Sequence, residues 1–246
     1  MVSLISNLEE HQISSRILGK KQVYYSLEVL EGQSQAVDVL YVQDGMDYVR
    51  LGKLQDAWHH VLKEKGRRDV HVLLILVPPS TSEERYHTYH PRGTQHHSYI
   101  HFFHQELVPF IEKQIIETGR DIRKKGLLGD SLGAAVCLAL ASEEPKGWTH
   151  LLLQSGAFID FHVDKIRKIE TKVPWNVYQV VGSLEESVTY PLTGETFPIL
   201  SANRTLYEAL PPIAENHTYY EEDEDHLWDF WRRDLPRALH YFLTKG

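Results

Sequence analysis

The sequence predicts an α/β fold, a mostly parallel central sheet with helices on both faces. Three observations predict it. Val70–Val77 is a near-continuous apolar run closed by Pro78-Pro79, the pattern of a strand buried on both faces. Strand-like and helix-like segments alternate from there to the C-terminus. The chain of 246 residues, 42% hydrophobic and 24% charged, can build a sizeable core, and no apolar run approaches the roughly 20 residues that span a bilayer. At roughly 150 residues per domain, with no repeat, low-complexity tract or linker, one domain over residues 1–246 is expected.

The elements follow in order. Gln22 to Leu30 and Val37 to Val42, rich in Val, Tyr and Leu and separated by the turn Glu31-Gly32-Gln33-Ser34, read as early antiparallel strands. Leu54, Trp58 and Leu62 share one face of a helix over Leu51 to Lys65, ended by Gly66. After the Val70–Val77 strand, the polar, His-rich stretch Ser80 to Gln95 reads as a long loop, the kind that often carries function. A helix through Phe103, Leu107, Phe110 and Ile111 comes next, then a short strand at Gly126-Leu127-Leu128 and a small-residue helix from Leu132 to Ala141. Strands at His150 to Gln154, Val177 to Val181 and Thr218 to Glu221 alternate with helices at Ser201 to Leu210 and Leu227 to Thr244.

Charge and cysteine usage exclude whole classes of function. With 26 Lys and Arg against 34 Asp and Glu the formal charge is −8, which lacks the basic footprint that phosphate backbones require, so no nucleic-acid partner is expected. The single cysteine, Cys137, supports neither an intramolecular disulfide nor a thiolate zinc cage, as in a reducing compartment. Met1 to Glu10 has neither the basic nor the apolar region of a signal peptide. A cytoplasmic protein without membrane attachment is the expectation.

The most specific motif is Gly129-Asp130-Ser131-Leu132-Gly133-Ala134, a Gly-x-Ser-x-Gly string between a strand and a helix. A nucleophile elbow needs small residues at these places, because its turn is strained and the helix start crosses close to the strand. Ser131 is then the nucleophile, and the Leu132 amide at the helix N-terminus is an oxyanion donor. A base and an orienting acid must follow in the order Ser, acid, His. His226, between the last strand and the last helix, is singled out among 15 histidines by position. Glu185, just past the strand ending near Val181, is the first choice for the acid and Glu186 the second. A second oxyanion donor is the Met46 amide, after the strand-end turn Asp44-Gly45.

These blocks resemble the putative-esterase branch of the α/β hydrolases, which includes enterochelin-type siderophore esterases, esterase D-like enzymes and mycolyltransferases. The resemblance covers most of the chain: Val42-Gln43-Asp44-Gly45-Met46, Glu84-Arg85-Tyr86, Glu106-Leu107-Val108-Pro109, Gly129 to Ala134, Ser155-Gly156-Ala157-Phe158, Gly182-Ser183-Leu184-Glu185, and His226 with Trp231 behind it. It implies an α/β-hydrolase fold and a serine esterase without cofactor, acting on siderophore-type or simple acyl esters. The triad would be Ser131, His226 and Glu185, with Met46 and Leu132 as the oxyanion hole. One departure is the acidic run Glu221-Glu222-Asp223-Glu224-Asp225, where the family often has glycine before the base. Such a run could raise the pKa of His226 or supply a substitute acid.

Two other readings stay open on sequence. Gly129-Asp130-Ser131-Leu132 spells the signature of the GDSL hydrolases, and Asp223-x-x-His226 matches their acid and base spacing. In that family, however, the serine block follows the first strand, and no Gly-x-Asn-Asp block occurs here. A non-catalytic binding protein on a hydrolase scaffold is the second. The histidines between His87 and His104 lack the carboxylate or cysteine pattern of a coordination shell, so no metal is expected and the segment reads as a flap near the pocket. Trp228, Phe230 and Trp231, at helix spacing, read as core.

Overall fold

In a computed structural model, residues 4–65 and 69–246 are described, so the helix end expected at Gly66 lies outside them. The chain starts with β1 (Leu4–Ile5), β2 (Glu9–Ser15), β3 (Lys20–Glu31) and β4 (Ala36–Gln43). Two helices, α1 (Gly45–Arg50) and α2 (Leu54–Lys65), lead to β5 (Val70–Val77). Next come α3 (Ser82–Tyr89), α4 (His96–Phe102) and α5 (Val108–Glu117), the last two joined by a π-helical turn over Phe103–Leu107. The sequence then alternates through β6 (Asp121–Asp130), α6 (Leu132–Glu143), β7 (His150–Gln154), α7 (Asp160–Arg167) and β8 (Val173–Gly182). A small hairpin of β9 (Val188–Thr189) and β10 (Thr196–Phe197) precedes α8 (Ile199–Ala209), β11 (Ala214–Glu222) and α9 (Trp228–Thr244).

Among the described residues nine strands form one sheet in the order β1-β3-β5-β4-β6-β7-β8-β11, with β2 also on β3. The pairs from β5 across to β11 are parallel, and the edge formed by β1, β2 and β3 is antiparallel. The α/β-hydrolase fold class read from the sequence is the one observed. One pairing differs: β3 and β4 do not form a hairpin, because β5 lies between them. The turn after β3 crosses the start of β5, where the Gln33 amide donates to Asp69 Oδ1 at 3.0 Å. The physical reason is burial: β4 is interior along nearly its whole length, so it belongs in the parallel centre and not at an edge.

Alternation along the strands builds two cores. Val39, Tyr41 and Ile75 pack under α4 to α8, whereas Leu40, Val42, Leu74 and Leu76 face α1, α2 and α9. Trp58 of α2 and Phe242 of α9 are fully buried on the second face, where truncation to Ala typically costs about 3–5 kcal/mol. The expected loop from Ser80 to Gln95 instead contains α3. Thr81 Oγ1 accepts from the Glu84 amide at 3.0 Å, so Thr-x-x-Glu was a helix-start signal in plain view. Helix α6 is apolar all round and sits between strands and helices. The carboxyl ends of β4, β6, β7, β8 and β11 therefore gather Met46, Ser131, Ser155, Glu185 and His226 at one rim, where open α/β sheets place their sites.

Candidate active site

Ser131 stands alone between β6 and α6 with φ 49° and ψ −119°, a left-handed conformation that costs energy for a residue with a Cβ. Its surroundings hold it there. The Ser131 amide donates to the Gln154 carbonyl at 2.9 Å, and its own carbonyl accepts from Ala135 at 3.1 Å and Ala157 at 2.9 Å. A Cβ on Gly129 would fall 2.4 Å from the Gly133 backbone, and one on Gly133 would fall 2.7 Å from Asp44 Oδ2. Both glycines are thus required by close approach, as an elbow demands.

His226, in the turn before α9, places Nε2 2.9 Å from Ser131 Oγ and Nδ1 2.7 Å from Glu185 Oε2. A carboxylate can only accept, so Nδ1 carries the proton and Nε2 is left to accept from the serine hydroxyl. Glu185 is fully buried. Its Oε1 accepts from the Ser155 hydroxyl at 2.7 Å and from the Gly182 amide at 2.9 Å. Ser155, itself at φ 46°, accepts in turn from the Trp231 indole N–H at 2.9 Å. The Trp231 ring also meets the His226 ring edge to face, with centroids 4.9 Å apart. One tryptophan therefore braces both His226 and, through Ser155, Glu185.

A separate clamp lies beneath Ser131. Asp44, nearly inaccessible and in a left-handed conformation before α1, takes a two-pronged hydrogen bond from Arg85 of α3 at 2.8 and 2.7 Å. Arg85 also donates to the Asp130 carbonyl at 3.3 Å and lies 5.7 Å from the centre of the Tyr89 ring. Burial opposes its charge, but Asp44, with Asp130 and Tyr89 beside it, raises the guanidinium pKa. Burial, and after it the charge of Asp44, push the Asp130 carboxyl well above the usual range, and its Oδ1 has no hydrogen-bond partner. The clamp ties the strand-end loop holding Asp44 to the elbow.

The sequence-predicted residues now have places. Ser131, His226 and Glu185 meet, while Glu186 turns away to the Ser201 amide and hydroxyl. Leu132 lines the same cavity of about 390 Å³ as Ser131 and His226. Met46 is the second residue of α1, just before the Asp47 and Tyr48 amides that donate to the Asp44 carbonyl, and it lines an adjoining cavity that shares Asp47, Ser82 and Arg85 with the first. Of the acidic run, Glu221, Glu222 and Glu224 pair with Arg204, Arg237 and Arg233, and Asp223 accepts from Ser183 at 3.4 Å. The carboxylate on His226 is Glu185. Phe230 is core as expected, but Trp228 and Trp231 also line the cavity.

Residues to which the sequence assigned no role complete the site. Hairpin residues Val188 to Leu192 and Phe197 form one wall and Arg85 also lines the space, while Ser155 bonds Glu185 and Trp231. Gly-rich spacing pointed to the elbow, but no local pattern marks a serine bonded to a glutamate 30 positions away. The His-rich segment forms α3, α4 and their turns. His90 is buried, stacks on Tyr86, and meets the edge of Phe197 in the cavity wall. Burial pushes His96 down to about 4 and His162 to about 3, so both are neutral near pH 7. Among the described residues no group of three or more His, Cys, Asp or Glu is arranged to hold a metal, and no helix is long and apolar enough to cross a membrane.

Comparison with known proteins adds three findings. Residues 22–242 match the family described as Putative esterase. The chain is 30% identical over 211 residues to the uncharacterised protein YjcH of Bacillus subtilis (strain 168), covering 83% of this chain and 84% of that one. Its fold is similar to the enterobactin esterase FES of Shigella flexneri solved with enterobactin (TM-score 0.74, 17% identity), covering 97% of this chain and 59% of FES. It is also similar to the BES protein of Bacillus cereus (TM-score 0.66, 18% identity), covering 96% and 95% of the two chains. At these identities the structural likenesses speak for the fold. With that fold and a family match over nearly its whole length, the chain belongs to the Putative esterase family and is a hydrolase of ester bonds.

Proposed function

We propose that this protein is a serine carboxylic-ester hydrolase using Ser131, His226 and Glu185. The observation that carries the reading is the continuous hydrogen-bonded path from Ser131 Oγ through His226 to Glu185, with links of 2.9 and 2.7 Å. Ser131 Oγ attacks the ester carbonyl as His226 Nε2 takes its proton, and His226 then returns that proton to the departing alcohol. Water repeats the cycle on the acyl-enzyme. Glu185 fixes the productive tautomer and stabilises the imidazolium.

The Leu132 amide, at the start of α6 and in the cavity wall, supports its role as oxyanion donor, aided by the helix dipole. The Met46 amide, in the first turn of α1, is proposed as the second donor. No step requires a metal or organic cofactor, and one domain carries the whole site. Siderophore-type and simple acyl esters are the substrates suggested by relatives such as the siderophore hydrolase EstA of Aspergillus nidulans.

The test is a hydrolysis panel of short p-nitrophenyl esters, a thioester and a catecholate trilactone, run on wild type and Ser131→Ala. The expected result is ester turnover that falls by about 10⁴-fold or more in the variant, with the fold intact by circular dichroism. A variant that keeps most of the wild-type rate would refute the assignment of Ser131. Excess chelator is expected to leave the rate unchanged.

A further inference from the structure

We propose that the cavity at Ser131 selects uncharged esters with an apolar acyl chain, held between the β9–β10 hairpin and the start of α9, and rejects anionic ones, ferric catecholates included. This inference rests on the esterase reading above. It starts from the walls. Tyr190, Pro191 and Leu192 of the hairpin face the cavity, with Leu227 and Trp228 also lining it. Leu192 and Leu227 are 51% and 59% exposed, a large solvent exposure for leucines beside a catalytic serine. A substrate chain lying against them removes that apolar surface from water. The hairpin is fixed in place: the Tyr190 hydroxyl donates to the Ser82 carbonyl at 3.2 Å, and Glu195 pairs with Arg92 at 2.9 Å.

Charge provides the second half. Among the described residues lining the cavity, Arg85 is the one Lys or Arg, and its guanidinium is already committed to Asp44 by two hydrogen bonds of 2.8 and 2.7 Å. Asp47 and Asp130 line the same space, and the guanidinium 3.7 Å from Asp130 Oδ2 is the Arg85 group already held by Asp44. A ferric tris-catecholate is a multiply charged anion. It would enter a space whose one guanidinium is already held by Asp44 and where Asp47 adds a carboxylate, so Coulomb repulsion opposes it with no free cation to offset it. A neutral acyl chain meets no such opposition, and about 390 Å³ suits a small molecule.

The experiment measures kcat/KM for p-nitrophenyl acetate, butyrate and hexanoate, for p-nitrophenyl hemisuccinate, which carries a terminal carboxylate, and for a catecholate trilactone with and without iron. The expected result is a rise of about threefold per added methylene. Hemisuccinate should fall at least about tenfold below butyrate, and the ferric trilactone lower still. Leu192→Ser should flatten the chain-length series, and Asp47→Asn should raise the hemisuccinate-to-butyrate ratio. A Ser131-dependent enzyme that prefers hemisuccinate or the ferric trilactone, or that ignores chain length, overturns this inference and leaves the esterase reading standing. Absence of any Ser131-dependent ester turnover overturns both.

Discussion

Two buried carboxyl groups flank Ser131, and the protein treats them in opposite ways. Glu185 receives three hydrogen bonds, from Ser155, Gly182 and His226, which between them engage both oxygens. Asp130, equally buried, keeps one oxygen without a partner, and burial together with the charge of Asp44 pushes its carboxyl well above the usual range. The charge in that corner belongs to the Asp44–Arg85 pair, which is satisfied internally. The lesson is that burial does not assign a catalytic acid. What assigns it is the set of donors aimed at the carboxylate and the one neighbour left for it to act on.

The largest expected effect breaks the comparison at its active member. Glu185→Gln keeps the shape and loses the charge, and is expected to lower kcat by roughly 10² to 10⁴. Asp130→Asn should change it by less than about tenfold. The opposite order would show that the wrong carboxyl has been chosen. The clamp should respond in stability. Arg85→Met leaves Asp44 buried without a countercharge, which costs about 3–5 kcal/mol and is measurable by denaturant unfolding. An unchanged midpoint would mean that the pair contributes little beyond a hydrophobic contact.

Smaller effects sharpen the account. Ser155→Ala removes a neutral donor from Glu185 and uncouples it from Trp231, with an expected loss of roughly tenfold in kcat and little change in KM. Trp231→Phe should lose a similar factor, and the double variant less than the product of the two, because both act through one chain of bonds. Asp223→Asn should alter the rate by less than about threefold, since that side chain is bonded to Ser183 on the exposed rim. A large loss there would favour the GDSL-type acid.

The buried histidines set the pH response of the fold. Burial lowers His96, His150 and His217 to about 4 and His162 to about 3, against about 6.5 in an unfolded chain. Between those values the unfolded state binds more protons than the folded one. Stability from these groups is therefore complete above about pH 6.5 and lost as pH falls toward 4. Melting curves at pH 7 and pH 5 should show a lower Tm at pH 5, and an equal or higher Tm would contradict this sign.

The three residues of the proposed triad were legible because each sits at a position defined by a strand end. Ser131 lies between a strand and a small-residue helix, Glu185 past β8, and His226 after β11. Continuous apolar runs marked β5 and β7 to the residue. The remainder depends on partners distant in sequence. Ser155 meets a glutamate and a tryptophan that share no periodicity with it, and Arg85 reaches Asp44 across 41 positions. The β9–β10 hairpin, with strands of two residues each, is too short for alternation to show. Helix α3 was hidden for a different reason, since its polar composition outweighed a capping signal that was present at Thr81.

The central claim is that Ser131 is the nucleophile activated by His226 and Glu185. It is tested most directly by treating the protein with an organophosphorus ester and mapping the adduct by peptide mass spectrometry. The predicted result is one adduct on Ser131, absent in Ser131→Ala and formed at least about a hundredfold more slowly in His226→Ala. A stoichiometric adduct on any other residue, or undiminished labelling in the His226 variant, would contradict it.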